Sequence, residues 1–355
     1  MNFSLKDNEQ HTDENCRNDT VEILKRIPKN LTVSPAPHLK SPDRVTSIMR
    51  DVLIALLPAL IWGVYIFGFR VLVIVAISVG SCVLFEFLYE KVCKKPITIH
   101  DLSACVSGVL LAYCLPVSVP LWMPVAGAFF AIVVVKQLFG GIGKNFMNPA
   151  LAARVFLFSW PKEMTAFTEP FADLAIFRSS VSSADAVSSA TTLSYLKQGI
   201  LSGESLSDLF LGVKAGCIGE VSALMLLAGA GYLLYRRIIT LHTPIAYLSV
   251  VALWSLLFPH GISAVDFCLQ QLLSGGLILA AFFMATDYAT TPITKSGKVI
   301  FGIGCGILTM MIRYFGGYAE GVSFAVLIMN LSVWYIDRIT MHRVFGGRQN
   351  EQKQN

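Results

Sequence analysis

Residues 52–69 read VLIALLPALIWGVYIFGF, and residues 71–89, beyond the single Arg70, read VLVIVAISVGSCVLFEFLY. At a rise of about 1.5 Å per residue, either run as a helix nearly matches the roughly 30 Å hydrocarbon layer of a bilayer. Further apolar runs fall at 102–115, 118–138, 146–160, 216–235, 242–258, 264–285, 298–313 and 322–337. The third and fifth runs are short for a full crossing and predict half-helices or strong tilt. Irregular backbone at that depth survives only where protein or a cavity covers it. Hydrophobic residues make up 54% of the 355 and charged residues 14%, against about 25% charged in a typical soluble chain. Mean hydropathy is +0.62. Too few polar side chains exist to clothe a soluble surface. The pattern predicts an all-α polytopic membrane protein with about ten transmembrane helices.

Orientation follows from lysine and arginine, which favour the cytoplasmic side. Arg44 and Arg50 precede the first run. Lys91, Lys94 and Lys95 follow the second, Lys144 the fourth, Arg236 and Arg237 the sixth, Lys295 and Lys298 the eighth, and Arg338, Arg343 and Arg348 the tenth. The odd-numbered exits are poorer in charge, with Arg70, Pro116–Pro120, Pro259-His260-Gly261 and Gly316–Gly321. Both termini are therefore expected in the cytoplasm. The loop near 161–210 holds Lys162, Arg178 and Lys197 against Glu163, Glu169, Asp173, Asp185, Glu204 and Asp208, a balance suited to the far side. The expected organisation is a tail at 1–45, a five-helix repeat at 46–160, the extracytoplasmic loop at 161–210, a second five-helix repeat at 211–340 and a tail at 341–355. Phe139-Gly140-Gly141 and Phe315-Gly316-Gly317 close corresponding helices, and Ser107-Gly108 is matched by Ser274-Gly275. An odd number of crossings per repeat makes the two halves inverted.

The net charge of +5 sits at helix ends rather than in a basic patch with interleaved aromatics, so no nucleic-acid partner is expected. The eight cysteines contain no C-x-x-C pair, which argues against iron–sulfur and zinc sites. They read as small buried hydrophobes. The polar first 40 or so residues show no cleavable signal peptide.

Several residues are candidates for chemistry. Asp185-Ala186-Val187-Ser188-Ser189-Ala190-Thr191-Thr192-Leu193 lies in the long loop, where serine and threonine also suit an ordinary helix start. Asn145 and Asn148 follow a glycine-rich turn, with Pro149 at the first position of a helix whose N-terminus offers free N–H groups. Charge inside a membrane demands a reason. Lys136 and Arg313, near helix ends, are read as snorkelling to the interface. Glu220 stands near the start of the sixth run, where the helix dipole favours a carboxylate, and is also a candidate for an ion path. Arg154 is a further intramembrane charge that needs such a reason. Asp287, beside Thr286, Thr290 and Thr291, suits local turn bonding. Gly229, Gly231, Gly302, Gly304 and Gly306 suit close helix packing.

The loop segment resembles the D-x-x-S-G-A-T flavinylation motif of a family of membrane subunits. These are the D subunits of Rnf complexes and the B subunits of sodium-pumping NADH:quinone oxidoreductases. The resemblance extends along the chain through Ser34-Pro35-Ala36-Pro37-His38, Phe139 to Ala150, Gly219-Glu220-Val221-Ser222, Met284-Ala285-Thr286-Asp287 through Thr294, and Glu320-Gly321-Val322-Ser323-Phe324-Ala325 with Met329-Asn330. It implies covalent FMN on Thr191, with Asp185, Ser188 and Ala190 completing the motif. Ser189 replaces the usual glycine, and the adjoining Thr192 is a second possible acceptor. It further implies a non-covalent riboflavin, for which Asn145 and Asn148 are candidates. Implied partners are iron–sulfur and NAD- or flavin-binding subunits and a flavin transferase, all at the inner membrane of a bacterium. Chain length favours the Rnf D subunit over the sodium-pumping relative. A cofactor-free channel or transporter is the alternative of a different class.

Overall fold

The computed structural model describes residues 44–171, 191–200, 203–220, 222–260 and 263–341. The Ser34-Pro35-Ala36-Pro37-His38 element, the motif residues Asp185, Ser188 and Ala190, and nearly all of both expected tails lie outside these. Among the described residues regular structure is helical, and the sole β feature is an isolated bridge between Pro116 and Cys217. The main helices are α1 (Val45–Phe67), α2 (Arg70–Val92), α3 (Ser103–Tyr113), α4 (Trp122–Gln137), α5 (Pro149–Leu157), α6 (Ala223–Tyr235), α7 (His242–Leu257), α8 (Ala264–Leu273), α9 (Leu277–Met284), α10 (Lys295–Phe315) and α11 (Val322–Thr340). Helices α1, α2, α10 and α11 are long and apolar enough to cross a bilayer, and α8 with α9 forms one more candidate span bent by 62°. Length alone therefore gives four to five full crossings, in a polytopic membrane architecture. The other predicted runs do hold helix, but α3, α4, α6 and α7 are shorter and α5 has only nine residues.

The boundaries have local causes. Asn148 caps α5, its Oδ1 accepting from Ala150 N at 3.0 Å and Leu151 N at 3.3 Å, with Pro149 in the first turn. The sixth predicted run, 216–235, starts late: residues 218–220 form a separate 3-10 turn, and Ser222 Oγ caps α6 by accepting from Met225 N. The eighth run breaks at Ser274-Gly275-Gly276, where Gly275 takes a left-handed φ of +70°.

Arg70, read as a loop residue between the first two runs, instead begins α2 and is 1% exposed. Its Nε donates to Val117 O at 2.7 Å and its Nη2 to Val119 O at 2.8 Å. Those carbonyls lie between Pro116 and Pro120, where proline prevents a regular helix. Buried backbone freed from helical pairing needs such partners.

Small residues let helices approach. A Cβ on Gly229 of α6 would stand 2.0 Å from the Ala55 carbonyl oxygen of α1, and one on Gly108 of α3 would stand 2.7 Å from Val79 Cα of α2. Gly231, by contrast, has open space around it.

Lys136 does not snorkel. It is 3% exposed, and its Nζ meets Glu86 Oε1 of α2 at 2.6 Å and Ser103 Oγ of α3 at 2.6 Å. Gln137 Nε2 donates to the same Glu86 oxygen at 2.8 Å. Arg313 is equally buried. It donates to Gln271 O and Oε1, both at 2.8 Å, and to Ser274 O at 3.2 Å, closing the carbonyl end of α8. Periodicity places both cations at helix ends but cannot locate the neighbouring helices. Removing one partner of a buried ion pair strands the other, at a cost of about 3–5 kcal/mol. Lys136→Met is therefore expected to lower the midpoint of detergent thermal unfolding sharply. Adding Glu86→Gln should recover most of that loss; a double variant no more stable than the single one would contradict the pairing.

Candidate functional site

Helix α5 is flanked by two cavities, one at each end. The cavity at its N-terminal end has a volume of about 810 Å³, and its walls include Asn145, Asn148, Lys136, Thr286, Asp287 and Phe282. Asn148 is committed to capping through Oδ1. Asn145 Nδ2 donates to Met147 O at 3.2 Å. With the Asn330 amide oriented to satisfy both ends, its oxygen accepts from Asn148 N at 3.1 Å and its nitrogen donates to Thr290 O at 3.0 Å. Asp287 accepts from Thr290 Oγ1 at 3.2 Å, the expected turn bonding.

The cavity at the C-terminal end of α5 is about 620 Å³, and its walls include Arg154, Phe158, Thr191, Lys214, Glu220 and Glu320. Arg154 is 4% exposed. Its Nη2 meets Glu220 Oε1 at 3.2 Å and ion-pairs with Glu320 Oε2, while Nη1 lies 3.4 Å from Glu320 Oε1. The guanidinium also donates to Cys217 Sγ at 3.5 Å and sits over the Phe158 ring at 5.9 Å. Glu320 Oε1 accepts from Gly276 N at 2.8 Å, satisfying an N–H that opens α9. One guanidinium thus ties α5, the turn before α6 and the approach to α11 into a single cluster. The expectation that Glu220 serves a helix dipole is corrected: it precedes α6 in the 3-10 turn and pairs with Arg154, while Ser222 does the capping.

Thr191 and Thr192 both line this cavity and differ in surroundings. Thr192 is buried and its hydroxyl donates to Glu204 Oε2 at 2.5 Å. Thr191 is half-buried and precedes the short helix Thr192–Lys197 with extended backbone, φ −74° and ψ 153°. Its side chain makes no capping bond. The ordinary helix-start role of threonine is thus not exercised there, and Thr191 lines the cavity.

Lys214, 2% exposed, closes the inner wall and donates to Leu273 O at the end of α8. It lies outside the spanning helices, and burial lowers its pKa. Sequence reading does not single it out, since nothing in a loop lysine signals burial. Glu320 enters only as part of a motif; a counter-charge for Arg154 is required, but it stands 166 residues along the chain. Among the cysteines, Cys82, Cys114, Cys217, Cys268 and Cys305 are buried and Cys93 is exposed.

Residues 32–346 match the NQR2, RnfD, RnfE family. The chain belongs to that family. It is 47% identical over 321 residues to the D subunit of the Na(+)-translocating ferredoxin:NAD(+) oxidoreductase complex of Acetobacterium woodii, covering 89% of this chain and 96% of that one. It is 39% identical over 337 residues to the D subunit of the proton-translocating ferredoxin:NAD(+) oxidoreductase complex of Clostridium ljungdahlii, covering 91% and 99%. The D subunit of the ion-translocating oxidoreductase complex of Halorhodospira halophila is 34% identical, covering 87% and 94%. Family membership thus spans relatives named for different ions. The matched range takes in α1 through α11, both cavities and the Arg154 cluster.

Proposed function

We infer that this chain is the D subunit of an ion-translocating ferredoxin:NAD(+) oxidoreductase complex and that it carries FMN on Thr191. The observation that carries this reading is half-buried Thr191, its side chain uncommitted to capping, on the wall of a cavity lined by cationic and aromatic residues. In attachment, the Thr191 oxygen forms a bond to the FMN-side phosphorus of FAD, AMP leaves, and the hydroxyl proton is lost. A flavin transferase outside the cytoplasm would bring FAD and metal. FMN, when bound, supplies reversible one- and two-electron redox chemistry. The chain's own contribution is a charged and aromatic wall in which Arg154 and Lys214 are buried, Phe158 is half-buried and Tyr318 is exposed.

The cavity bearing Asn145 and Asn148 suits a second, non-covalent riboflavin. Since Asn148 caps through Oδ1, its free amide N–H groups and the Asn145 carbonyl are the groups available to a ligand. The nine residues of α5 between the cavities rise about 14 Å, a short path for an electron.

The finer architecture is ten crossings in two inverted five-helix repeats, 46–160 and 211–340. The chain would lie in the bacterial inner membrane with both termini cytoplasmic and the 161–210 loop outside. When Phe139-Gly140-Gly141 is aligned with Phe315-Gly316-Gly317, Arg154 falls on Asn330. Each of these reaches into the opposite half, Arg154 to Glu320 and Asn330 to the backbone of Asn148. Iron–sulfur and NAD- or flavin-binding subunits would complete the electron path. An ion path through Glu220 draws no support from its pairing with Arg154. The test is in-gel fluorescence of the denatured full chain after production with a flavin transferase. A covalent yellow-green band is expected, and a dark band would overturn the assignment.

A further inference from the structure

Lys214 presents an imbalance. An ammonium has three donors, and the one hydrogen bond made by Lys214 among the described residues goes to Leu273 O. No carboxylate there lies within ion-pair distance of it. The charged groups acting on it are Glu220, Glu204, Arg313 and Glu320. Glu220 and Glu320 are both held by Arg154, while Arg313 is bound to neutral oxygens. Glu204, part-exposed, accepts from Thr192. The three cations Arg154, Lys214 and Arg313 face three carboxylates, Glu204, Glu220 and Glu320, yet none of the three pairs with Lys214. An unpaired buried ammonium is costly, yet this one is 2% exposed and lines the cavity that Thr191 opens. The arrangement suits a negative group that arrives in the cavity.

We propose that Lys214 recognises the negative charge a flavin ring gains on reduction and so raises the reduction potential of the group carried by Thr191. This rests on the reading that Thr191 bears FMN. Thr191, which would hold the phosphodiester, is half-buried, whereas Lys214 on the same cavity wall is fully buried and would face the ring. Two electrons and one proton convert the oxidised ring to a singly negative reduced form; iron–sulfur centres of partner subunits are the electron source by class. A cation beside that charge binds the reduced form more tightly than the oxidised one.

The test is a spectroscopic redox titration of the flavinylated, purified full chain and of its Lys214→Gln, Lys214→Met and Lys214→Arg variants. The neutral variants are expected to favour the oxidised form about tenfold more than wild type, a fall of about 30 mV for a two-electron couple. Lys214→Arg should stay near wild type. Gln keeps a donor for Leu273 O, so a purely structural role would leave its potential unmoved. Covalent flavin present with an unchanged potential in the neutral variants overturns the role of Lys214 and leaves the Thr191 assignment standing. Wild-type chain without covalent flavin overturns both.

Discussion

The Thr191→Ala chain, produced with a flavin transferase and denatured in the gel, is expected to lose its covalent fluorescence completely, while Thr192→Ala retains it. The two threonines are adjacent and chemically identical, so the difference must come from their surroundings. Thr192 is 3% exposed and its hydroxyl is engaged by Glu204 at 2.5 Å. To react it would first have to give up that bond and leave the interior, and a charge-assisted hydrogen bond of this kind is worth about 1.5–3 kcal/mol. Thr191 has extended backbone, partial exposure and no capping bond. Loss of fluorescence in Thr192→Ala with retention in Thr191→Ala would move the attachment point one residue along. Fluorescence in both would place it elsewhere.

Replacing Arg154 with leucine is expected to be the most damaging single change to the fold. The substitution leaves Glu220 and Glu320 facing each other without a cation, and breaking a buried pair costs about 3–5 kcal/mol. Net stabilities are typically about 5–15 kcal/mol, so a large share of the margin is at risk. The charge-free triple variant Arg154→Met, Glu220→Gln, Glu320→Gln should regain much of the loss, since glutamine at 320 still accepts from Gly276 N. Thermal unfolding in detergent reads both. A leucine variant as stable as wild type would show that the cluster carries little of the fold's energy.

The helices are legible because an apolar run long enough for a bilayer leaves few alternatives, and α1, α2, α10 and α11 follow directly from it. Breaks are less so. The run at 264–285 looks continuous until Gly275 adopts its left-handed turn, which composition permits but does not require. Asn148 and Pro149 announce the start of α5 through local capping chemistry, whereas Lys136, Arg313 and Arg70 conceal their roles because their partners belong to other segments. Thr191 is reached through resemblance, and its difference from Thr192 emerges only from burial. Lys214 carries no signal at all. Local chemistry is written in neighbouring residues; a charge buried by distant ones is not.

The pairing of Arg154 with a residue 166 positions later has a consequence for biogenesis. At roughly 5–20 residues per second, ribosomes need on the order of ten to thirty seconds to add Glu320 after Arg154. For the first 66 residues of that interval the guanidinium has neither acid, and until residue 320 is added it has Glu220 alone. Helix α5 therefore cannot settle early at its final depth; it must dwell at the interface or in the shelter of the insertion machinery until the second half arrives. A chain released from the ribosome before residue 320 would present that unfinished helix to membrane quality-control proteases.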